Sequence, residues 1–357
     1  IQSICCYGLH ALNSSMKNIR SSFLLILQTL FLISTDVKAQ PEKAEAGIQS
    51  IMQEIPVMGL SVAVVKDNKI IYAQSFGAKS RENNTPLTND CIFRIASISK
   101  SFSATSIMQL AERKKLSIDQ DVSELIGFKV RNPKFPETVI TLRLMMSHLS
   151  SINDSQGYFS LDAINPEKNP NWAKSYSHYE PGKGYAYCNL NFNMIGAIIE
   201  KISGERFDQY VIKHVLDPLG LYGGYDVDGL DKSRFASIYE YRADSSKFIL
   251  SESAYASRAK DISNYAMGYT TPVFSPTGGM KISATDLAQY MLMHNNLGKY
   301  KGKRIISKKS AQQMQTALSE EEGYGFAIET TSKMIPGKTM KGHTGVAYGL
   351  FSAMFIH

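Results

Sequence analysis

The chain of 357 residues is 43% hydrophobic and 20% charged, and its net charge is +7. This composition is ordinary for a globular protein, and the length suffices for one large core or two coupled domains. The basic residues are spread along the chain without aromatic interleaving or zinc-finger spacing, which argues against a nucleic-acid partner. No C-x-x-C or H-E-x-x-H pattern occurs, so we expect neither a metal site nor a cofactor.

The first recognisable pattern begins at Met16. A basic stretch over residues 16–20 precedes a short apolar run and a small-residue site that ends at Ala39. This pattern predicts a secretory signal peptide over residues 16–39, so we expect an exported protein, periplasmic or secreted. An uncleaved membrane anchor is the alternative, although the apolar run is short for a membrane span. Residues 1–15 precede this start and are set aside from the fold, so that residues 1–39 form an upstream extension and signal.

The first half of the remaining chain predicts a hairpin followed by helices. Apolar runs over 60–65 and 70–74, separated by a turn, predict two paired β-strands. Apolar residues at helical spacing predict a helix over 97–115 and a short one over 140–148. The polar stretch 150–184 predicts a long surface loop, and long loops in compact domains are often functional.

The second half returns from helices to strands. Further helices are predicted over 189–203, 207–216 and 285–295. The stretches 324–328 and 345–356 are predicted to be strands. Terminal strands that bury a face are expected to pair in one antiparallel sheet flanked by helices, which gives an α+β fold. The mostly helical region at about 115–270 would be an insertion in one domain spanning 40–357. Because the last strand runs to the final residue, we expect the native C-terminus to be missing.

Ser97 and Lys100 form the most informative pattern, an S-x-x-K box at the start of a predicted helix. Residues three apart share a helix face, so the Lys100 amine can reach the Ser97 hydroxyl. A lysine that has lost its proton can activate a serine nucleophile. Taken alone, the pattern also fits an ordinary surface helix, and it gains weight only from the rest of the chain.

Two later segments offer the partners that a serine nucleophile needs. Tyr187 and Asn189 precede a predicted helix, where the phenol can act as acid or base and the amide points the same way. The alternative is a packing tyrosine with Asn189 as helix N-cap. His343, Thr344 and Gly345 open a predicted strand, and a glycine there lets another backbone approach closely. The alternative is a simple turn before the strand.

The ordered set S-x-x-K, Y-x-N and H-T-G resembles the serine penicillin-recognising enzymes. These include class C β-lactamases, low-molecular-weight DD-peptidases and related esterases. The likeness runs from about Gly59 to the end of the chain and includes the segments 93–96 and 278–283. It implies a β-lactamase/transpeptidase-like fold and the hydrolysis of an amide or ester through an acyl-Ser97 intermediate.

The same resemblance implies a role for each matching residue. Ser97 would be the acylated nucleophile, Lys100 its proton partner, and Tyr187 a general base or acid. The backbone N–H groups of Ser97 and Val346 would form the oxyanion hole. The substrate-binding positions would be Asn189, His343, Thr344, Gly345 and Val346.

His343 departs from the family pattern, because class C β-lactamases have a lysine there. A histidine is only partly charged near neutral pH, so it should attract a substrate carboxylate less, and its titration should set the preference for carboxylate-bearing substrates. We expect a small-molecule or short-peptide substrate, such as a cell-wall peptide. A D-amino-acid peptidase or carboxypeptidase is slightly ahead of an esterase, with a class C-like β-lactamase third. A non-catalytic penicillin-binding receptor or scaffold is the alternative of another class.

Overall fold

The computed structural model describes residues 3–7, 41–319 and 322–357, and the predicted signal peptide at 16–39 lies outside them. The α-helices are α1 (Pro41–Glu54), α2 (Ser99–Glu112), α3 (Val122–Ile126), α4 (Leu142–Met146), α5 (Asn189–Ser203), α6 (Phe207–Val211), α7 (Asp217–Leu219), α8 (Ala259–Ile262), α9 (Ala284–Asn295) and α10 (Lys308–Gln315). The strands are β1 (Ser3–Tyr7), β2 (Gly59–Lys66), β3 (Lys69–Ser80), β4 (Thr85–Pro86), β5 (Ile92–Arg94), β6 (Gly223–Gly224), β7 (Tyr239–Arg242), β8 (Lys247–Leu250), β9 (Lys281–Ser283), β10 (Lys299–Tyr300), β11 (Lys303–Arg304), β12 (Glu329–Ile335), β13 (Lys338–Ala347) and β14 (Leu350–Ile356).

The largest sheet joins both ends of the chain in the order β12-β13-β14-β1-β2-β3-β4. The predicted β2–β3 hairpin is confirmed, and Asp67 and Asn68 form its turn with φ values of 49° and 61°. The predicted single strand over 345–356 is instead a hairpin of β13 and β14. Tyr348 and Gly349 turn the chain between them with φ values of 57° and 85°.

Helices cover both faces of this sheet. Ile48 of α1 packs with Leu60 and Val62 of β2 on one face. Ala63 and Val65 of the same strand point into the main core on the other face, where α9 packs against β2 and β14. The alternation along β2 is the period of two that a strand requires, and it produces the expected α+β architecture.

β1 differs from the sequence-based expectation. Residues 1–15 were set aside from the fold, whereas Ser3–Tyr7 pairs antiparallel with both β14 and β2. The facing edges of β14 and β2 each carry backbone donors and acceptors that require partners. Strand β1 supplies them in the full chain, although it lies before the predicted cleavage site at Ala39.

The predicted helices that carry the site are confirmed, whereas a neighbouring helix differs from its prediction. α2 and α5 match the predicted helices 97–115 and 189–203 apart from their ends, and the short helix predicted over 140–148 is α4. The helix predicted over 207–216 does not end there. It continues from α6 through a π-helical turn, Ile212–Leu216, into α7.

The predicted strand over 324–328 is wrong. The Phe326 N–H donates to the Met314 carbonyl oxygen at 2.9 Å, and the Ala327 N–H donates to Met146 at 3.2 Å. Ala327 has a φ of 54°, which an extended strand does not permit. The segment is therefore held by the ends of two helices, and β12 begins only at Glu329.

The middle of the chain, predicted to be mostly helical, contains short helices, long loops and the β7–β8 hairpin. The predicted loop over 150–184 carries two 3₁₀ turns, Leu161–Ile164 and Trp172–Ser175. Within the described ranges, no helix has the length and apolar character needed to cross a bilayer.

Candidate active site

The turn that carries Ser97 is strained. Ala96 follows β5 with a φ of 48°, in the left-handed region that a residue with a Cβ rarely adopts. This turn leads Ser97 through a short 3₁₀ turn directly into α2. The Ser352 hydroxyl holds the turn by donating to the Ile95 carbonyl oxygen at 2.9 Å. Backbone strain of this kind persists where the surrounding structure enforces it, and such positions cluster at functional sites.

Lys100 is fully buried beneath Ser97. Its Nζ lies 3.0 Å from Ser97 Oγ, 2.9 Å from Asn189 Oδ1 and 3.0 Å from the Thr277 carbonyl oxygen. Burial lowers the pKa of Lys100 to about 7, while the charge of Asp154 opposes the shift. A neutral amine has two N–H donors and one lone pair. The amide and carbonyl oxygens take the two donors because neither can donate itself, and the lone pair remains for the Ser97 hydroxyl proton.

Tyr187 flanks the same hydroxyl. Its ring centroid lies 4.7 Å from Lys100 Nζ and 4.3 Å from the centroid of the His148 ring. Tyr187 as a whole residue is 40% exposed to the cleft. Burial of its phenol nevertheless raises the pKa of that group, and a hydrogen bond with Ser97 offsets only part of the rise. The phenol is therefore protonated at neutral pH and suited to donate a proton.

Hydrogen bonds to both the nitrogen and the oxygen of its side-chain amide fix the orientation of Asn189. Its backbone N–H and its Nδ2 both donate to Asp154 Oδ2 at 2.9 Å. Because Nδ2 is held there, Oδ1 faces Lys100 and the Thr277 hydroxyl, which donates to it at 2.9 Å. The orientation of the amide therefore follows from the position of Asp154.

Asp154 also caps the start of α5. Its Oδ1 accepts from the Leu190 N–H at 2.9 Å and from the Cys188 thiol at 3.2 Å. A carboxylate satisfies the free N–H groups at a helix start and interacts favourably with the helix dipole. The cap thus comes from the loop, and Asn189 is free to face the lysine rather than to cap its own helix.

His343 is buried and neutral. Its Nδ1 lies against the Thr344 carbonyl oxygen, which only accepts, so Nδ1 carries the proton. Nε2 then accepts from the Tyr324 hydroxyl at 2.7 Å. Burial, reinforced by the charge of Lys100, lowers the pKa of His343 to about 3. The expectation that this imidazole is partly charged near neutral pH is therefore wrong.

β13 passes the nucleophile with Gly345 beside it. A Cβ at this position would lie 2.4 Å from the Ile95 carbonyl oxygen and 3.0 Å from the Ser97 nitrogen. Only glycine permits this approach, so Gly345 does more than open a strand. Thr344 and Val346 flank it and line the cleft, and Val346 is 60% exposed.

The predicted positions meet at one cleft of about 720 Å³. Lys100 lies beneath its floor, and the other seven line it: Ser97, Tyr187, Asn189, His343, Thr344, Gly345 and Val346. Much of the remaining wall is aromatic, from Tyr158, Phe159, Tyr185, Tyr324 and Tyr348. In the part of the chain that the structure describes, no group of three or more His, Cys, Asp or Glu side chains is arranged to hold a metal ion.

Comparison with known families agrees with this geometry. The family model for beta-lactamases matches residues 45–357, which is most of the chain. The chain belongs to the beta-lactamase family. The predicted resemblance and the predicted fold are both confirmed by this match.

The proteins that this chain is similar to include penicillin-binding proteins and an esterase. The octameric penicillin-binding protein homologue from Pyrococcus abyssi superposes with a TM-score of 0.70 at 25% identity, covering 89% of this chain and 73% of that one. Esterase EstB from Burkholderia gladioli is 26% identical over 208 residues, or 53% of this chain and 52% of the esterase. Penicillin-binding protein 4* from Bacillus subtilis (strain 168) is 26% identical over 172 residues, or 45% and 36%. The chain thus spans about a third to a half of the length of these curated relatives.

Three residues of this beta-lactamase-family site were not predicted from the sequence: Asp154, Thr277 and Tyr324. Asp154 lies in the long polar loop, and only the length of that loop indicated a function. Thr277 directly precedes Gly278, where the matched segment began. Tyr324 was assigned to a strand, whereas its hydroxyl bonds to His343. Each contributes through a contact far along the chain, which local patterns do not encode.

Proposed function

We propose that this protein is a serine hydrolase that cleaves an ester or amide through an acyl-Ser97 intermediate. The observation that carries the proposal is the environment of Lys100. Two acceptor oxygens occupy its N–H donors, burial lowers its pKa to about 7, and its remaining position faces the Ser97 hydroxyl at 3.0 Å. A lysine held in this way can act as the base for a serine nucleophile.

Acylation follows from these positions. Lys100 takes the proton of Ser97 as Oγ forms a bond to the substrate carbonyl carbon, and the carbonyl electron pair moves onto oxygen. The N–H groups of Ser97 and Val346 stabilise that oxyanion. When the bond to the leaving group breaks, Tyr187 donates its proton to the leaving atom and recovers one from Lys100. Water then attacks the acyl carbon with the same groups as base and acid, and Ser97 is released.

The leaving group is an uncharged alcohol or amine. His343 is neutral, and Glu329 lines the same end of the cleft. Glu329 is paired in register with Gly342, next to His343. Neither of these two described residues offers a cation to a leaving group that carries a carboxylate. The charges favour hydrolysis of an ester, or of an amide with an uncharged amine, over the reactions of a carboxypeptidase or a class C-like β-lactamase.

Export is part of the proposal and is supported by the sequence of residues 16–39. A signal peptide would place the enzyme in the periplasm or outside the cell, where a small ester or a short peptide would be its substrate. Expression of the full chain in a Gram-negative host, followed by N-terminal sequencing of the periplasmic fraction, tests this. A mature protein that starts near residue 40, and so lacks β1, is expected. An uncleaved cytoplasmic chain that keeps β1 in the sheet would contradict export.

Intact-mass spectrometry with three acyl donors tests the reaction. The enzyme is mixed with 4-nitrophenyl butyrate, D-alanyl-4-nitroanilide or benzylpenicillin, and the adduct and its release are followed over time. We expect turnover of the ester or anilide, and a penicillin adduct that is released more slowly. An adduct that forms with all three and is never released would favour the non-catalytic receptor instead.

A further inference from the structure

Arg94 is a buried cation at the floor of the cleft. It is only 8% exposed, yet it lines the cleft together with Ser97. Its Nε donates to the Gly278 carbonyl oxygen at 3.0 Å, and its guanidinium carbon lies 4.9 Å from the centroid of the Tyr348 ring. These contacts hold the plane of the guanidinium and leave Nη1 and Nη2 without an acceptor among the described residues.

No carboxylate in the described ranges forms an ion pair with Arg94. A buried charge without a partner is costly, and in proteins it is usually paired or used to bind a ligand. The guanidinium presents donors in a planar fork that fits a carboxylate at two points. The missing partner of Arg94 is therefore a planar anion that enters through the cleft.

The two cationic neighbours of Arg94, Lys281 and Arg258, do not line the cleft. Lys281 lies directly opposite it in the β5–β9 register, and the Lys281 Nζ donates to the Tyr225 carbonyl oxygen. Burial and the charge of Arg94 hold the pKa of Lys281 well below its usual value. Burial is the main cause of the lowered pKa of Arg94, and the charge of Arg258 adds a smaller contribution in the same direction for Arg94 and for Lys281. Among the described residues that line the cleft, Arg94 is therefore the cation at this end.

The order of the residues along the cleft indicates which part of the substrate would lie at Arg94. Tyr187, the proton donor to the leaving group, packs 6.3 Å from His343 between ring centroids. β13 continues from His343 to Ala347, about 13 Å of extended chain, and Tyr348, which Arg94 contacts, follows in the turn. Gly345 and Ser97 lie between these ends. The leaving group therefore occupies the His343 end, and the acyl group extends towards Arg94.

We propose that Arg94 binds a carboxylate on the acyl part of the substrate, so that the enzyme prefers esters or amides of short acids with a second, free carboxylate. This inference rests on the proposed acyl-Ser97 mechanism. The carbonyl that reacts lies at Ser97, and the second carboxylate pairs with Nη1 and Nη2. The opposite end of the cleft, at His343 and Glu329, takes the uncharged leaving group.

A matched pair of substrates tests the proposal. The 4-nitrophenyl hydrogen esters of succinate, glutarate and adipate are compared with their methyl esters, which differ only in the charge on the acyl part. Each rate is corrected for its own blank without enzyme. We expect at least one chain length at which kcat/KM for the charged ester exceeds that for the methyl ester by about 10- to 100-fold, the range for a hydrogen-bonded ion pair.

Variants then test whether Arg94 causes the preference for the charged ester. Arg94→Gln should reduce the charged-to-methyl ratio to near one, and Arg94→Lys should retain part of it. Arg258→Gln is the matched control, because it removes a nearby cation that does not line the cleft, and it should keep the ratio. Labelling of Ser97 by a fluorophosphonate shows that each variant is folded. If Arg94→Gln does not fold, the ratio in Arg94→Lys against wild type decides, since a shorter, single-point cation must weaken a two-point contact.

Three results would overturn the inference. The wild-type enzyme could hydrolyse both members of every pair equally well, or Arg94→Gln could keep the preference while still labelling. The preference could also follow a carboxylate placed on the leaving group, tested with 4-acetoxybenzoate against phenyl acetate. In each case Ser97 would still label and esters would still turn over. If Ser97 were not labelled and no ester were hydrolysed, the proposed function itself would fail.

Discussion

Asp154 determines which end of the Asn189 amide faces the buried lysine. Its Oδ2 accepts both N–H groups of Asn189 at 2.9 Å, which leaves Asn189 Oδ1 at 2.9 Å from Lys100 Nζ. The same carboxylate is the charge that most opposes the fall in the pKa of Lys100. In the proposed mechanism, Asp154 therefore positions Asn189, and its charge influences the pKa of Lys100.

Asp154→Asn should lower kcat/KM about 10- to 100-fold, the range for losing a hydrogen bond to a charged group. It should also move the acidic limb of the pH–rate profile to lower pH. Loss of the negative charge removes a contribution that raises the pKa of Lys100. An Asn189 amide that rotates would then point Nδ2 at the lysine and lower that pKa further.

Asp162→Asn is the matched control for this variant. Asp162 lies in the same loop and accepts from the Tyr269 hydroxyl, away from the lysine. It should change stability without moving the acidic limb. If Asp154→Asn slows the enzyme while the limb stays where it is in wild type, Asp154 is only a helix cap.

The sequence predicted the chemistry of this site better than its electrostatics. Ser97, Lys100 and Tyr187 were selected because their short patterns occur in the order that the family resemblance requires, although each pattern alone also fits a structural role. Whether His343 is charged depends on burial and on Tyr324, and neither is local. The strand predicted around Tyr324 failed for the same reason, since helix ends rather than a strand hold that segment. The orienting role of Asp154 likewise needs two segments to meet.

The pH–rate profile should show Lys100 as the base. Because the deprotonated amine is the active form, kcat/KM should be low in acid and rise with a midpoint at about pH 7. Lys100→Met should slow acylation about 10²- to 10⁴-fold, as measured by the burst of 4-nitrophenol. Lys281→Met is the control, because Lys281 is also a buried lysine with a lowered pKa but lies outside the cleft lining. Equal slowing in both variants would mean that loss of a buried amine, rather than of the base, reduces the rate.

Tyr187→Phe should slow at least one of the two acyl steps about 10²- to 10⁴-fold, because it removes the proton donor while keeping the ring on His148. Tyr185→Phe should have a far smaller effect, since Tyr185 lines the cleft without a bond to Ser97. Single-turnover and steady-state rates with the same ester separate acylation from deacylation. Wild-type rates for both steps in Tyr187→Phe would leave the phenol with a packing role only.

The neutral state of His343 predicts a flat specificity profile. The ratio of kcat/KM for 4-acetoxybenzoate to that for phenyl acetate should not change between about pH 5 and about pH 8, because the pKa of His343 lies at about 3. Titration of Lys100 affects both substrates alike and cancels in the ratio. A ratio that falls with a midpoint at about 6.5 would show that His343 titrates as an ordinary imidazole.

Peptide mapping of the covalent adduct tests the central claim most directly. The protein is labelled with a fluorophosphonate, digested, and the modified residue is located by tandem mass spectrometry. We expect a single adduct on Ser97, its loss in Ser97→Ala, and its retention in Ser101→Ala, whose hydroxyl is buried and donates to the Ile98 carbonyl oxygen. A label that persists in Ser97→Ala, or that maps to another serine in the wild-type protein, would contradict the acyl-Ser97 mechanism.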